Sequence, residues 1–207
     1  MATALRAAGH TVYDYDLKDG KDVLMPDVSG ITELDVLVNN AGINGINFLE
    51  DIDDALWEGV MDTNVKAIYK MTQACLPMLK ASKGTVVVTA SNASHTPMTS
   101  SLAYNCSKAS AAMAAKQMAR ELTRRWGITV FAISPNKLSG TAMSKAIDEQ
   151  VVRTRGWTME EAQRYQLAGL LSGHETDPKQ IADLLAFLLQ SKARHSYLTG
   201  CDLQLGL

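Results

Sequence analysis

Residues 86–135 read VVVTASNASHTPMTSSLAYNCSKASAAMAAKQMARELTRRWGITVFAISP, and this stretch decides the fold. It opens on Val86 to Thr89, four β-branched residues in a row, which predicts a short buried strand. From about Ala103 to Trp126, good helix formers follow one another without a glycine or proline, so a long helix is expected, with Gly127 as its stop signal. Ile128 to Ile133 is a second apolar strand, closed by Pro135. Two strands joined by a helical crossover run parallel, because a tight turn can only reverse the chain. Parallel sheets are covered by helices on both faces, and their strands therefore read as continuous apolar runs.

The alternation continues outward. Residues 1 to 8 predict the tail of a helix ended by Gly9, followed by strands over Thr11 to Asp16, Val23 to Met25 and Val36 to Val38. Helical periodicity runs from about Asp53 to Ala81, opened by acids that suit the positive end of a helix. The connection from Asp27 to Asp35 is too short for a full crossover helix and is expected to be a loop. Residues 136 to 176 are the least regular, with Gly140, Gly156, Gly169 and Gly173 between short helical pieces; an excursion of that length is usually functional or mobile. Asp177-Pro178 caps and opens a helix to about Gln190, and Tyr197 to Leu205 reads as the last strand. The expected architecture is α/β, a Rossmann-like, doubly wound parallel sheet forming one domain over residues 1–207.

Composition narrows the function. A hydrophobic content of 46% suits one sizeable core, and a formal net charge of −2 without a long Lys or Arg run gives nucleic-acid binding little support. No apolar stretch is long enough to span a bilayer, and Met1 to Arg6 lacks the order of a secretory signal, so a soluble, cytoplasmic protein is expected. Cys75, Cys106 and Cys201 lie far apart and read as reduced, buried thiols, while His10, His95, His174 and His195 form no ligand pair; no metal is expected.

The chemistry sits within the stretch quoted first. Tyr104 and Lys108 are four residues apart on the predicted helix, hence on one face. A phenol with a pKa near ~10 is a poor acid or base at neutral pH, and a neighbouring ammonium is expected to lower it. Ser91 follows the strand Val86 to Thr89, at the end of a parallel sheet where ligands bind. Asn39-Asn40-Ala41-Gly42 follows another strand, and Asn64 falls within the helical segment beyond it.

Together with the late Thr199-Gly200, these motifs resemble the short-chain dehydrogenase/reductase family across essentially the whole chain. The resemblance implies an oxidoreductase that interconverts a secondary alcohol and a ketone by hydride transfer with NAD(H). Tyr104 would be the general acid or base, and Ser91 would hold the carbonyl or alcohol oxygen. Lys108 would bind the nicotinamide ribose, and Asn64 a water of the proton relay. Asn40, Ala41, Gly42, Pro135 and Thr141 would line the cofactor, with Asp27-Val28 as the adenine-contacting pair. Asp16, at the end of the strand Thr11 to Asp16, would accept from the adenosine ribose hydroxyls and favour NAD over NADP, with Asp14 as its competitor. Residues 141–174 correspond to the substrate-covering segment, and the alanine-rich helix implies a homodimer or homotetramer. The halohydrin dehalogenase branch resembles the chain less, since it carries Arg where Lys108 stands.

Three departures qualify the resemblance. Asn136 stands where the family has glycine after proline, the usual double glycine is absent at the C-terminus, and no glycine-rich phosphate turn is found near the N-terminus. Because Met1 falls inside the helix that follows that turn, a slot roughly 10 Å wide is expected at the centre of the sheet. The alternative function is a cofactor-free scaffold or binding protein that retains the catalytic residues as relics.

Overall fold

The computed structural model describes residues 1–206. Four strands, β1 (Val36–Asn39), β2 (Thr85–Thr89), β3 (Thr129–Pro135) and β4 (Asp202–Leu205), form one parallel sheet in that order. The helices are α1 (Ala2–Ala7), α2 (Asp54–Met61), α3 (Ala67–Ser82), α4 (Leu102–Trp126), α5 (Ala142–Arg155), α6 (Met159–Ala168), α7 (Pro178–Leu189) and α8 (Lys192–His195). Helices α3 and α4 cover one face of the sheet, and α1 and α7 the other, as the continuous apolar strands require.

The pleat divides the strands between two cores. Val86, Val88, Val130 and Ala132 meet Met71, Cys75 and Leu79 of α3 and Ala111, Ala115 and Ala119 of α4. Val87, Phe131 and Ile133 meet Leu5 of α1 and Ile181 and Leu185 of α7. The α4 alanines let that long helix lie close against the sheet, which brings its first turns up to the carboxyl ends of β2 and β3. Gly127 caps α4 in the left-handed conformation, and Asp177 caps α7 with Pro178 in its first turn, as expected.

Two predicted strands do not form. Thr11 to Asp16 and Val23 to Met25 belong to no ladder. Alternation alone gives a segment the propensity for a strand, but a strand exists only when a partner completes its hydrogen bonds, and β1 bonds to β2 alone. The segment nevertheless packs as extended chain, with Val12 against the α1–α7 core and Tyr15 against the α3–α4 core. The Tyr15 hydroxyl accepts from the Asp27 backbone N–H at 2.7 Å, which ties the segment to the loop before β1. The last strand is shorter than expected, since Ser196–Leu198 forms a 3₁₀ turn and pairing starts at Asp202.

Candidate active site

The carboxyl ends of β1 and β2 lie side by side in the parallel sheet, and each contributes to the candidate site through the loop that follows it. Beyond β1, the Gly42 backbone passes so close to α4 and to Asn64 that a Cβ there would lie 3.3 Å from Asn64 Oδ1 and 3.4 Å from Lys108 Nζ. A side chain there would require the Asn64 amide to give by a few tenths of an ångström.

Asn64 is buried within a π-helical turn, Asp62–Lys66, that interrupts what would otherwise be one helix from α2 to α3. Its Oδ1 accepts from Ile43 N–H at 2.8 Å, and its Nδ2 donates to Ile43 carbonyl and to Ser107 Oγ, both at 2.9 Å. A widened turn is a common device for turning a side chain off the regular helical path, and here it locks the loop after β1 to α4. Ser107 passes the connection on by donating to the Tyr104 carbonyl at 2.8 Å.

Ser91 caps a 3₁₀ turn, Asn92–Ser94, directly beyond β2, its hydroxyl accepting from Ala93 N–H. The turn is stitched to α4 from several sides. Asn105 Nδ2 donates to the carbonyls of Ala93 and Thr96 at 2.7 and 2.8 Å, and Ser94 Oγ donates to the Lys108 carbonyl at 2.8 Å. His95 Nε2 lies 2.8 Å from Asp202 Oδ2 on β4, and Ser134 Oγ donates to the other oxygen of that carboxylate at 2.6 Å.

Tyr104 and Lys108 are both buried on the first turns of α4. Lys108 Nζ donates to the Thr89 carbonyl at 2.9 Å and lies 5.8 Å from the centre of the Tyr104 ring. Burial pushes the phenol pKa up, with the neighbouring Ser91 hydroxyl working the other way. The same burial lowers the Lys108 amine from 10.5 to about 8. The expected lowering of the Tyr104 pKa by Lys108 is therefore not what the structure shows. Desolvation acts on both groups and disfavours charge on each.

The expected cofactor residues divide into two sets. Asn40, Ala41 and Gly42 follow β1, with Gly42 close to Lys108 Nζ, while Pro135 and Thr141 come from β3 and from the start of α5. Asn40 Oδ1 accepts from Thr89 Oγ1, Pro135 ends β3, and Thr141 caps α5 by accepting from Ser144 N–H. Asn136 needs no left-handed backbone, and its side chain donates to the Gly206 carbonyl. The second set is less ordered by the sheet. Asp16, expected at a strand end, instead caps the turn Leu17–Asp19 and is exposed, because the strand is not formed. Its competitor Asp14 is paired with Arg6 at 2.7 Å, which holds its carboxyl below the usual range. Asp27 accepts from Ser29 N–H at 3.0 Å in a local turn, and Val28 packs against the α3–α4 core. Sequence reasoning missed Thr89, Ser107 and Asn105; of these, Ser107 was accessible, standing three residues beyond Tyr104 on the same helical face.

The family model for the short chain dehydrogenases matches residues 6–152. The chain belongs to this family. Among curated relatives of this short-chain dehydrogenase, the 3-oxoacyl-[acyl-carrier-protein] reductase of Vibrio cholerae is 33% identical, over 81% of the chain and 63% of that enzyme. The enzyme of the same name from Staphylococcus aureus is 32% identical over 89% of the chain and 70% of its own length. The chain thus spans about two thirds of the length of these relatives. Among solved structures, a variant of actinorhodin polyketide ketoreductase with NADPH superposes with a TM-score of 0.77 at 28% identity, covering 86% of the chain and 69% of the ketoreductase. Among the described residues, no helix is long and apolar enough to cross a membrane.

Proposed function

We propose that this short-chain dehydrogenase interconverts a secondary alcohol and a ketone with a nicotinamide dinucleotide. The observation that carries the reading is the gathering of Tyr104, Ser91, Lys108 and Asn64 at the carboxyl ends of β1 and β2. Lys108 Nζ, held between the Thr89 carbonyl and the loop at Gly42, is the group that would hold the nicotinamide ribose. The dinucleotide supplies or accepts the hydride at the carbinol carbon.

The residues of the chain manage the proton. Tyr104, its pKa raised by burial, keeps its proton at neutral pH and donates it to the developing alkoxide. Ser91 holds the same oxygen by a hydrogen bond aimed from a stitched turn, so the reacting groups need no reorganisation. Lys108 returns the proton to the phenol, and Asn64 fixes the relay by holding the loop after β1 at a set distance from α4.

The preference for NAD over NADP loses its first support with the strand that was to present Asp16. What remains is a surface where Asp14, Asp16, Asp19 and Asp22 stand near Arg6, Lys18 and Lys21, a balance that offers an added 2′-phosphate no net attraction. We assign a small-molecule substrate and a homo-oligomer, the exposed Met113 on α4 being an apolar contact available to a second copy.

Calorimetric titration of this chain with NADH and NADPH tests the reading. Micromolar binding of either dinucleotide supports it, and tighter binding of NADH supports the NAD preference. No heat from either leaves the scaffold alternative standing. Tyr104→Phe is expected to abolish dinucleotide-dependent ketone reduction, and undiminished turnover rejects the mechanism.

A further inference from the structure

Residues 140–175 leave the body of the protein after β3 and return before α7, and the two ends are joined. Thr176 N–H donates to the Lys137 carbonyl at 3.0 Å, and Ser139 N–H to the Thr176 carbonyl at 2.9 Å. The excursion, containing α5 and α6, is thus a flap on a paired stem. Its far side rests on the loop after β1 and on the segment between Ser91 and Tyr104. Ile46, from the loop whose Ile43 is bound by Asn64, is buried among Val151, Ala162, Ile147 and Trp157. The Tyr165 phenol meets Thr99, in the segment leading from Ser91 to Tyr104.

At the stem a set of polar side chains is largely shielded from water. Lys137 Nζ pairs with Asp148 of α5 and, at 2.8 Å, with Glu175; Gln166 Nε2 of α6 donates to Asp148 Oδ1 at 2.6 Å. The side chains of Lys137 and Asp148 are each only 11% exposed, and that of Glu175 is 23% exposed. On α5 the inward positions are Ser144, Asp148 and Val151, so a carboxylate occupies the centre of the buried stripe where an apolar residue would pack. The ammonium and the Asp148 carboxylate it meets therefore connect the chain leaving β3, both flap helices and the chain entering α7.

We infer that Lys137 is a positioning residue which, through Asp148, Gln166 and Glu175, holds the flap in one orientation against the loops beside Tyr104. This deepens the reading given above, since a flap so held defines the space left for substrate. Without the cation, two carboxylates face each other away from solvent. Their mutual repulsion and desolvation then favour swinging the flap out into water, rather than unfolding the sheet.

Hydrogen exchange on the full chain tests this independently of catalysis. Lys137→Met is expected to speed amide exchange at least tenfold across 142–168 while leaving β2 and β3 protected as in the wild type. Lys137→Arg, which keeps the charge, restores wild-type exchange in the flap. If Lys137→Met does not fold, Glu175→Gln carries the test at the more exposed end of the cluster, with a rise of at least threefold confined to the flap. Unchanged flap exchange, or a rise equal in the flap and in β2 and β3, overturns the inference. Failure of NADH titration alone would instead count against the enzymatic reading and leave the exchange result standing. In a wild type that turns over, Lys137→Met raises KM at least fivefold with kcat within twofold; equal losses in kcat and kcat/KM overturn the positioning role.

Discussion

Replacing Lys108 with methionine removes a cation from the interior while keeping most of its length, and burial fixes the sign of the outcome. The amine is 5% exposed, and its pKa is lowered from 10.5 to about 8. At about 1.4 kcal/mol per pKa unit, the folded chain is less stable at pH 7 by roughly 3 kcal/mol than it would be with a neutral group there. Because the folded value lies below the unfolded one, this cost is full below about pH 8. It shrinks between pH 8 and 10.5 and vanishes above, where the amine is neutral in both states. Between pH 7 and pH 10 the wild type should therefore gain roughly 2–3 kcal/mol relative to Lys108→Met. Loss of the bond to the Thr89 carbonyl opposes the stabilisation by roughly 1.5–3 kcal/mol, but it offsets the curves without giving them this slope. Urea denaturation of both proteins at pH 7, 8, 9 and 10 measures the difference, and groups that titrate alike in both cancel. A difference that stays constant from pH 7 to pH 10 refutes the reasoning.

Other perturbations follow from contacts in the candidate site. Gly42→Ala places a methyl 3.3 Å from Asn64 Oδ1 and 3.4 Å from Lys108 Nζ, and should weaken dinucleotide binding at least tenfold in calorimetry with little change in melting temperature. Asn64→Ala leaves the Ile43 N–H and carbonyl and Ser107 Oγ without their partner, and should cost roughly 2–4 kcal/mol in urea denaturation; a loss under roughly 0.5 kcal/mol would mean that the loop does not depend on it. Cys201 is exposed, whereas Cys75 is buried with its thiol pKa pushed up, so an aromatic disulfide reagent should label Cys201 in the native state and Cys75 only in denaturant.

The parts of the fold that were legible in the sequence are those in which local and long-range preferences agree. The Val86 to Thr89 strand, the α4 helix and the Asp177-Pro178 start each carry their own signal, and each lies where it was expected. Thr11 to Asp16 carries the pattern of a strand but depends on a neighbour for its hydrogen bonds, which no local reading can supply. Asp16 failed as a strand-end residue for that reason. Among the site residues, the spacing of Tyr104 and Lys108 on one helix was readable because the helix itself was. The π-helical turn at Asn64 was not, because five residues of slightly widened helix leave no compositional mark. The cysteines show the same limit: Cys201, expected in the core, is exposed although its carbonyl accepts from Ala132 N–H of β3.

Electrostatics within the site bears on the direction of the chemistry. Proximity to an ammonium was expected to free the Tyr104 proton, on the assumption that the amine is fully charged. Burial instead raises the phenol and brings the amine to about 8, so the phenol keeps its proton while the amine is the group that titrates near neutrality. In the proposed reaction the phenol gives up its proton to the nascent alkoxide and must regain one through Lys108. Reduction then needs the ammonium form, which is lost as pH rises through about 8. The rate of ketone reduction should therefore fall about tenfold per pH unit above that value, and the reverse oxidation should rise over the same interval. A reduction rate that holds constant up to pH 10 would show that the phenol, rather than the amine, sets the basic limb, and that Lys108 takes no part in returning the proton.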